Sequence, residues 1–361
     1  MQQKEIDIGR IKELPFFFIV GSPRSGTTLL RTIFDAHPNV NIPFEFPFIL
    51  YFYEKYGHVT NWNEKDILSF YEDITKNIKF EFWSFAGWRI NPDDLKKNML
   101  KYIGLHSYSE LCKSIYYQFN SYFTKKTIQI LGDKNPTYST RIELLMQLFP
   151  DSKFIHITRD YRDHILSMQN VDFGGKLTPM IAYRWHIYQR TIFKMKKKYQ
   201  NNVLSIKYEN LVSDPMNIVS IVCDFLNIPF DPEIINIYKH KEGMIQTYGL
   251  ETVNKYHSSL LNPISSDNIY AWKNKMPEKE IKIADMVVGK WAEKYGYERK
   301  YKGFYPLLFL YVIPIYVHLV IQKFLWIFIK ILPHKTKNKI VYRNSIFEKW
   351  YEKIYVRLRG I

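Results

Sequence analysis

The sequence FFFIV at residues 16–20 runs directly into GSPRSGTT at residues 21–28. A short apolar run that ends in a glycine-containing turn is typical of a buried parallel strand. The spacing that follows, G-x-x-x-x-G-T-T, matches the nucleotide-binding P-loop except that Thr27 stands where that motif has lysine. The stretch therefore predicts a strand, a phosphate-binding loop and a helix that begins near Thr27.

The loop keeps the features that bind an anion. Glycines allow backbone N–H groups to converge, and the helix that follows presents its positive end. The lysine that would reach the β- and γ-phosphates is missing, so the loop suits a nucleotide with a single 5′-phosphate to which another group is attached. Arg24 favours this interpretation over an ordinary turn. A cation beside converging backbone N–H donors is expected where the turn binds an anion, and an ordinary exposed turn does not require one.

Four other short runs continue the pattern of the first. They predict strands at residues 40–43, 128–131, 153–158 and 203–207, with helical segments between them. Strands that alternate with helices predict an α/β fold, in which a P-loop-type parallel sheet is flanked by helices. Ligands of such sheets bind at the carboxyl ends of the strands. Residues that directly follow strands are therefore the candidates for function.

The composition is that of a folded protein without a disulfide framework. Hydrophobic residues make up 46% of the 361 residues, which excludes wholesale disorder. The two cysteines, Cys112 and Cys223, exclude a disulfide scaffold and a cysteine-based zinc site. The sequence contains no cluster with metal-ligand spacing, so we expect no metal. His37 and His156 are interpreted as structural.

A second candidate anion site follows the fourth predicted strand. It reads RDYRDHILS from Arg159 to Ser167. Arg159 lies at the carboxyl end of the strand, and Ser167 lies two helical turns along the next helix, on the face of the helix start. An arginine fork with a hydroxyl donor can hold a phosphate. The alternative is an arginine–aspartate network on the surface of the same segment.

These motifs, in this order, resemble those of the sulfotransferases that use 3′-phosphoadenosine 5′-phosphosulfate (PAPS). PRSGTTLLRTIFDAHP at residues 23–38, GDKNP at residues 132–136 and LFPDSKFIHITRD at residues 148–160 are similar to motifs of the branch that contains tyrosylprotein sulfotransferases and related bacterial enzymes. Glu45 stands where that branch has a glutamate after the second strand. The resemblance covers about residues 15–230, and several ordered motifs support it where no single motif would.

The resemblance implies a role for each site residue. Glu45 would take the proton of an acceptor hydroxyl, while Arg24 and Lys134 would stabilise the transferring sulfonate. The loop would bind the 5′-phosphosulfate, and the second anion site would bind the 3′-phosphate. The residues implied to contact PAPS are Arg24, Ser25, Gly26, Thr27, Thr28, Arg159, Ser167, Tyr208 and Lys273. From the residues alone, Glu45 could instead cap the next helix, and Lys134 could be a surface lysine on a turn.

The net charge of +16 is concentrated in one part of the chain. Residues 299–361 contain 13 Lys and Arg against 2 Glu, whereas residues 1–298 carry a net charge of +5. The same C-terminal part contains the most apolar run, FYPLLFLYVIPIYVHLVIQKFLWIFIKIL at residues 304–332. This combination is typical of binding to a membrane surface with anionic lipids, and it does not favour nucleic acid. We therefore predict a sulfotransferase domain at residues 1–298 and a membrane-associating helical tail at residues 299–361.

The tail is interpreted as an anchor that lies in the membrane plane or re-enters it. Pro306 and Pro314 interrupt the apolar run, and basic residues on both of its sides disfavour a single crossing. Apolar residues at about 344–358 are spaced for one face of a further helix. The alternatives are two ordinary helices packed on the domain and a single membrane span. The N-terminal residues contain no apolar signal-like segment, so we expect a peripheral or monotopic protein at the cytoplasmic face.

The sequence thus predicts a PAPS-dependent sulfotransferase that acts on a hydroxyl of a lipid or glycan at a membrane surface. The lipid or glycan follows from the predicted location alone. One alternative is a protein-tyrosine sulfotransferase, and a second is a P-loop kinase acting on a hydroxyl, which Thr27 disfavours. A membrane-docked scaffold without activity is a third alternative, which the joint presence of Glu45, Arg24 and Lys134 disfavours.

Overall fold

A five-stranded parallel sheet organises the chain in the computed structural model, which describes residues 6–75, 85–172, 175–329 and 331–332. The strands lie in the order β2-β3-β1-β4-β5. Their bounds are β1 Phe16–Val20, β2 Val40–Asn41, β3 Ile130–Lys134, β4 Lys153–Thr158 and β5 Val203–Lys207. All neighbouring strands pair in parallel. The predicted α/β fold with a parallel sheet flanked by helices is therefore confirmed.

Helices connect the strands and form most of the remaining described chain. Their bounds are α1 Ile8–Glu13, α2 Thr27–Ala36, α3 Phe48–Tyr51, α4 Tyr53–Tyr56, α5 Glu64–Thr75, α6 Pro92–Leu100, α7 Tyr108–Tyr117, α8 Ile142–Leu148, α9 Tyr161–Gln169, α10 Thr178–Lys198, α11 Tyr208–Ser213, α12 Pro215–Leu226, α13 Lys241–Tyr248, α14 Leu250–Tyr256, α15 Trp272–Lys275, α16 Glu278–Val288, α17 Trp291–Lys294, α18 Pro306–Phe309 and α19 Ile313–Ile329. Short 3₁₀ turns lie at Phe85–Trp88, Pro136–Thr140, Gln200–Asn202, Pro232–Ile235, Ile237–His240 and Ser258–Leu261.

Strand β1 is the central strand and is buried on both faces. Side chains alternate along a strand, so Phe16 and Phe18 enter one apolar cluster while Phe17 and Ile19 enter the other. All five residues of β1 are buried. This explains why the strand is an unbroken apolar run without polar alternation.

Strand β3 differs from its predicted bounds, and the difference concerns Lys134. The sequence predicts a strand at 128–131 with Lys134 in the loop beyond it, whereas Lys134 is the last residue of β3. Gly132 pairs with Phe17, and a Cβ at Gly132 would lie 2.5 Å from the Phe17 ring. The glycine therefore continues the strand beside a large ring, where the sequence analysis had treated it as the strand's end.

Strand β2 is shorter than predicted. It ends at Asn41, although the apolar run continues to Pro43. The carbonyl of Ile42 accepts hydrogen bonds from Nε and Nη2 of Arg31, at 3.1 and 3.0 Å. At this position the backbone carbonyl therefore accepts from a side chain of α2 and not from a neighbouring strand.

The described chain forms two compact units, each with its own core. The first contains residues 6–158 and 192–266 and includes the whole sheet. The second contains residues 159–191 and the described part of 267–361. Its core is built from α9, α16 and the first part of α10. The predicted division of the chain at residue 299 stays a prediction.

The apolar run at 304–332 forms two helices of the second unit, α18 and α19. Val312 and Ile315 are buried in the core of this unit. Many other apolar side chains of the run are exposed: Phe304, Leu307, Leu310, Ile313, Tyr316, Val317, Val320, Ile321, Phe324, Ile327, Phe328, Ile331 and Leu332. Among the described residues, no helix has the length and hydropathy needed to cross a membrane. The helix predicted at about 344–358 lies outside the described residues.

Candidate active site

The predicted phosphate loop joins β1 to α2, and its shape depends on a glycine. Gly26 has a φ of +92° and caps α2, which begins at Thr27 as predicted. A Cβ at Gly26 would lie 2.5 Å from Cδ2 of Tyr208, which follows β5. Tyr208 thus packs directly on the loop, and only glycine has both the backbone freedom and the space at this position.

Two buried serine hydroxyls of the loop fit an anionic ligand. The Oγ atoms of Ser22 and Ser25 are buried and have no hydrogen-bond partner within the described part of the chain. Buried polar groups normally have a partner. The hydroxyls lie beside the N-terminus of α2, where Thr27 and Thr28 form the first turn and backbone N–H groups face outward. The loop therefore has the donors that a phosphate or sulfate group requires.

Glu45 and Lys134 form an ion pair at the carboxyl ends of β2 and β3. Nζ of Lys134 donates a hydrogen bond to Oε2 of Glu45 over 2.7 Å. The Lys134 side chain is 6% exposed and that of Glu45 is 26% exposed, so Glu45 forms the open side of the pair. The next helix, α3, has no side-chain cap, so Glu45 does not cap it. Lys134 is not a surface lysine on a turn either, because it is buried and is the last residue of β3.

Arg24 contacts the end of a distant helix. Its Nη1 donates to the carbonyl oxygen of Tyr256 over 2.8 Å, and Tyr256 is the last residue of α14. The backbone of Arg24 has a φ of +65°, in the left-handed region. The loop cation is therefore held by segment 241–257, which consists of α13, Gly249, α14 and His257.

His257 is a site residue that the sequence analysis missed. Burial, together with the positive charges of Lys134, Arg24 and Arg31, lowers the pKa of His257 to about 3. The imidazole is therefore neutral at physiological pH, and it lies among the cations of the site. No spacing motif surrounds this histidine, and only the folded chain brings it beside residues that are more than 100 positions away.

Asp133 is a buried carboxyl group directly before Lys134. Its Oδ1 accepts a hydrogen bond from Nδ2 of Asn135 over 2.6 Å. Burial, together with the negative charge of Glu45, raises the pKa of Asp133 to about 7. Near neutral pH this carboxyl group is thus partly protonated, unlike an ordinary aspartate.

Arg159, in the second unit, belongs to a buried group of arginines and aspartates instead of the alternative surface network. Its Nη2 donates to the carbonyl oxygen of Asn268 over 2.9 Å, and its own carbonyl accepts from Nε1 of Trp185. Within the segment, Asp160 pairs instead with Arg162, at 2.7 Å. All of these charged side chains are buried, so they are not a solvated surface network.

Ser167 and Lys273 also belong to the second unit. Ser167 lies near the end of α9, and Lys273 is an exposed residue of α15. The backbone N–H groups of Tyr270 and Trp272, which flank the start of α15, donate to the carboxylate of Asp163 on α9. The two helices that carry Ser167 and Lys273 are therefore joined. Their contact with a nucleotide stays a prediction.

The first unit brings together Arg24, Ser25, Gly26, Thr27, Thr28, Glu45, Lys134 and Tyr208 at the carboxyl ends of the strands. Within the described ranges, no group of three or more His, Cys, Asp or Glu side chains could hold a metal ion. An anion-binding loop beside a carboxylate–lysine pair on a parallel sheet defines an α/β group-transfer enzyme.

Residues 15–232 match the model of the sulfotransferase family. The chain belongs to this family, and the predicted enzyme class is confirmed. It is 25% identical to protein-tyrosine sulfotransferase 1 of Danio rerio over 279 residues, which cover 74% of this chain and 68% of that protein. Over 109 residues it is 30% identical to an omega-hydroxy-beta-dihydromenaquinone-9 sulfotransferase of Mycobacterium bovis, covering 26% of this chain and 27% of that protein.

A solved structure shows the same fold. The sulfotransferase domain from the Synechococcus PCC 7002 olefin synthase aligns with a TM-score of 0.56 at 19% sequence identity. The alignment covers 82% of this chain and 98% of that domain. The predicted sulfotransferase-like architecture is thereby confirmed.

Proposed function

We propose that this sulfotransferase moves the sulfuryl group of PAPS to an acceptor hydroxyl, with Glu45 as the general base. The observation that carries the proposal is the 2.7 Å contact between Glu45 and Lys134, beside the loop that holds Arg24. PAPS, when bound, supplies an activated sulfuryl group. The protein supplies a base and two cations at one end of the sheet.

The loop residues hold the 5′ end of the donor. Backbone N–H groups at Gly26, Thr27 and Thr28 and the buried hydroxyl of Ser25 are the donors for it. Tyr208 packs on the loop and keeps its shape. Arg159 and Ser167 are the proposed partners of the 3′-phosphate, with Lys273 as a further cation.

The three charged groups of the first unit divide the transfer step among them. Glu45 takes the proton of the hydroxyl whose oxygen forms the new bond to sulfur. Arg24 and Lys134 stabilise the sulfonate oxygens and the electron pair that the departing phosphate oxygen keeps. Lys134 contacts Glu45 directly. The group that takes the proton and a group that stabilises the sulfonate therefore lie side by side.

The acceptor is proposed to be a lipid or glycan hydroxyl at the cytoplasmic face of a membrane. The exposed apolar side chains of α19 support this location, since large exposed apolar patches mark interaction surfaces. The basic residues of 299–361 favour anionic lipids. The similar mycobacterial protein is named for a menaquinone acceptor, which is a lipid. Protein tyrosine is the alternative, because the similar Danio rerio protein is named for it.

The base is tested with Glu45→Gln in the full chain. PAPS labelled in its sulfuryl group is incubated with separate lipid, glycan and protein fractions, and the labelled fraction names the acceptor class. We expect Glu45→Gln to lower turnover about 1000-fold. PAP, the desulfated donor product, should bind within about twofold of the wild type, because glutamine keeps the shape of the side chain. Glu143→Gln, at an exposed ion pair with Lys198, is the matched control and should remain active.

Three results would contradict the proposal or its acceptor. Loss of PAP binding in Glu45→Gln would make Glu45 a donor-binding residue instead of a base. Tighter binding of ATP with Mg²⁺ than of PAP to the wild type would favour the kinase alternative. Label that appears in protein alone would support the tyrosine acceptor over the lipid or glycan.

A further inference from the structure

Segment 241–257 lies beside Lys134 of the catalytic pair, and it is hydrogen-bonded to residues of the donor loop and of α2 at two points. The first is the hydrogen bond from Arg24 to the carbonyl of Tyr256. The second is the hydrogen bond from Nη1 of Arg31 to the hydroxyl of Tyr248, at 3.0 Å. One tie reaches the donor loop and the other reaches α2, so the segment has a fixed position relative to both.

Three rings of the first unit extend from the chain neighbour of Glu45 toward Lys134. Phe44 is its neighbour in the chain, and the ring of Phe44 lies 5.8 Å from that of Tyr248. The Tyr248 ring lies 5.0 Å from the imidazole of His257. All three side chains are half-buried, so they form a surface that is open on one side. We name Phe44, Tyr248 and His257 the ring wall.

The ring wall is backed by rigid structure. A Cβ at Gly87 would lie 2.2 Å from Cζ of Phe44, so the Phe44 ring fills the space that glycine leaves. Arg31, which holds the Tyr248 hydroxyl, is 2% exposed and also donates to Asp35 and to the carbonyl of Ile42. A buried guanidinium with this many partners has one geometry, and Tyr248 is fixed with it.

The ring wall presents few hydrogen-bonding groups. Phe44 has none, and the hydroxyl of Tyr248 already binds Arg31. The imidazole of His257 is neutral, so it adds no charge, and its ring lies at a tilt to that of Tyr248. A sugar ring brings several hydroxyls that must keep partners when they leave water, whereas an apolar carbon skeleton gains from contact with ring faces.

We propose that Phe44, Tyr248 and His257 form the acceptor subsite, and that this subsite takes a hydroxyl carried by an apolar carbon skeleton and excludes sugar hydroxyls. The inference rests on the proposed function, because Glu45 must be the base for its neighbours to contact the acceptor. Between the lipid and the glycan acceptor it selects the lipid.

The test uses two small acceptors that present the same reacting group. Cyclohexylmethanol and methyl β-D-glucopyranoside each carry a primary alcohol on a six-membered ring, and only the second carries ring hydroxyls. With labelled PAPS and the full chain, we expect kcat/KM to be at least about 100-fold higher for cyclohexylmethanol. Tyr248→Ala should reduce this preference about tenfold, mainly by raising KM for cyclohexylmethanol, while PAP binding is unchanged.

Two further variants separate contact with the acceptor from structural support. Tyr248→Phe keeps the ring and loses the hydrogen bond to Arg31, so it should retain most of the preference if the ring contacts the acceptor. Tyr199→Ala removes a half-buried tyrosine that precedes β5, toward the opposite end of the sheet, and should leave the preference unchanged. If Tyr248→Ala does not fold, His257→Leu is measured instead, with KM for cyclohexylmethanol expected to change more than PAP binding.

The outcomes distinguish this proposal from the proposed function. If the wild type binds no PAP and transfers no label, the proposed function fails. If the wild type binds PAP and transfers label but prefers the glucoside, only the ring-wall proposal is overturned. The ring-wall proposal is also overturned if Tyr248→Ala keeps the full preference for cyclohexylmethanol. It is likewise overturned if Tyr248→Phe loses as much of this preference as Tyr248→Ala does.

Discussion

Strand β1 and helix α19 are both apolar, and their side chains have opposite environments. The residues of β1 are at most 2% exposed, whereas Phe324 and Phe328 on α19 are 63% and 65% exposed. β1 has a strand on each side and apolar clusters on both faces, while α19 contributes Ile315 to a core and turns other residues outward. An apolar composition therefore predicts that a segment is buried. The elements that pack on it determine which of its side chains are buried within the chain.

The largest expected effect comes from truncating one phenylalanine in β1. Phe18→Ala should lower the free energy of unfolding by about 3–5 kcal/mol, because the ring is fully buried among Phe16, Phe149 and Phe154. Phe324→Ala is the matched control on α19 and should change it by less than about 0.5 kcal/mol. Urea unfolding of both variants measures the difference. Equal losses in the two variants would mean that α19 is as well covered as the sheet.

Asp133 is a buried carboxyl group beside β1, where it pairs with Phe18 in the sheet. Its folded pKa of about 7 lies above the usual value of 3.8, so between about pH 4 and pH 7 the unfolded chain releases a proton that the folded chain retains. Stability therefore falls as pH rises through this window. Asp133→Asn removes the free-energy cost of burying an ionised carboxylate. At pH 8 the variant should therefore be more stable than the wild type by about 2–3 kcal/mol.

The pH dependence separates this effect from simple repacking. At pH 4 the wild type and Asp133→Asn should have nearly the same free energy of unfolding, because the wild-type carboxyl is protonated in the folded state. Asp93→Asn, on the exposed start of α6, is the control for a general change of charge. A gain in Asp133→Asn that is the same at pH 4 and pH 8 would show that titration of Asp133 is not its cause.

Local patterns in the sequence predicted the fold, and long-range contacts decided the site. The apolar run of β1 and the glycines that follow specify a strand, a loop and a helix within 20 residues, and these were correct. The local pattern predicts Lys134 in a loop, because glycine commonly ends a strand, whereas Gly132 continues β3 to Lys134. No local pattern predicts His257 as a site residue, since its charged neighbours come from the loop after β1, from α2 and from β3.

Gly26 tests how tightly the loop after β1 is built. Gly26→Ala has an unfavourable positive φ and also brings a Cβ to 2.5 Å from the Tyr208 ring. We expect a loss of about 2 kcal/mol in the free energy of unfolding and a loss of PAP binding. Gly104→Ala is the matched control, because Gly104 also has a positive φ while no atom of the described chain lies within 4 Å of the added Cβ. Equal effects of the two substitutions would exclude a role for the contact with Tyr208.

The smallest effect on stability, and the sharpest test of the comparison, is expected on α19. Truncation of the tail is a poor test, because Val312 and Ile315 are buried in the core of the second unit. The triple variant Phe324→Ser, Ile327→Ser, Phe328→Ser changes exposed side chains only, so its free energy of unfolding should change by less than about 1 kcal/mol.

Membrane binding should depend on these three side chains and not on exposed apolar residues in general. The full chain should float with vesicles of phosphatidylcholine and phosphatidylserine, and the triple variant should lose most of this binding, because apolar contact and basic charge act together. Ile103→Ser with Leu105→Ser removes side chains that are 50% and 82% exposed, and it should leave binding unchanged. If both sets of substitutions weaken flotation equally, or neither does, α19 is not the membrane surface, and its exposed face needs another partner.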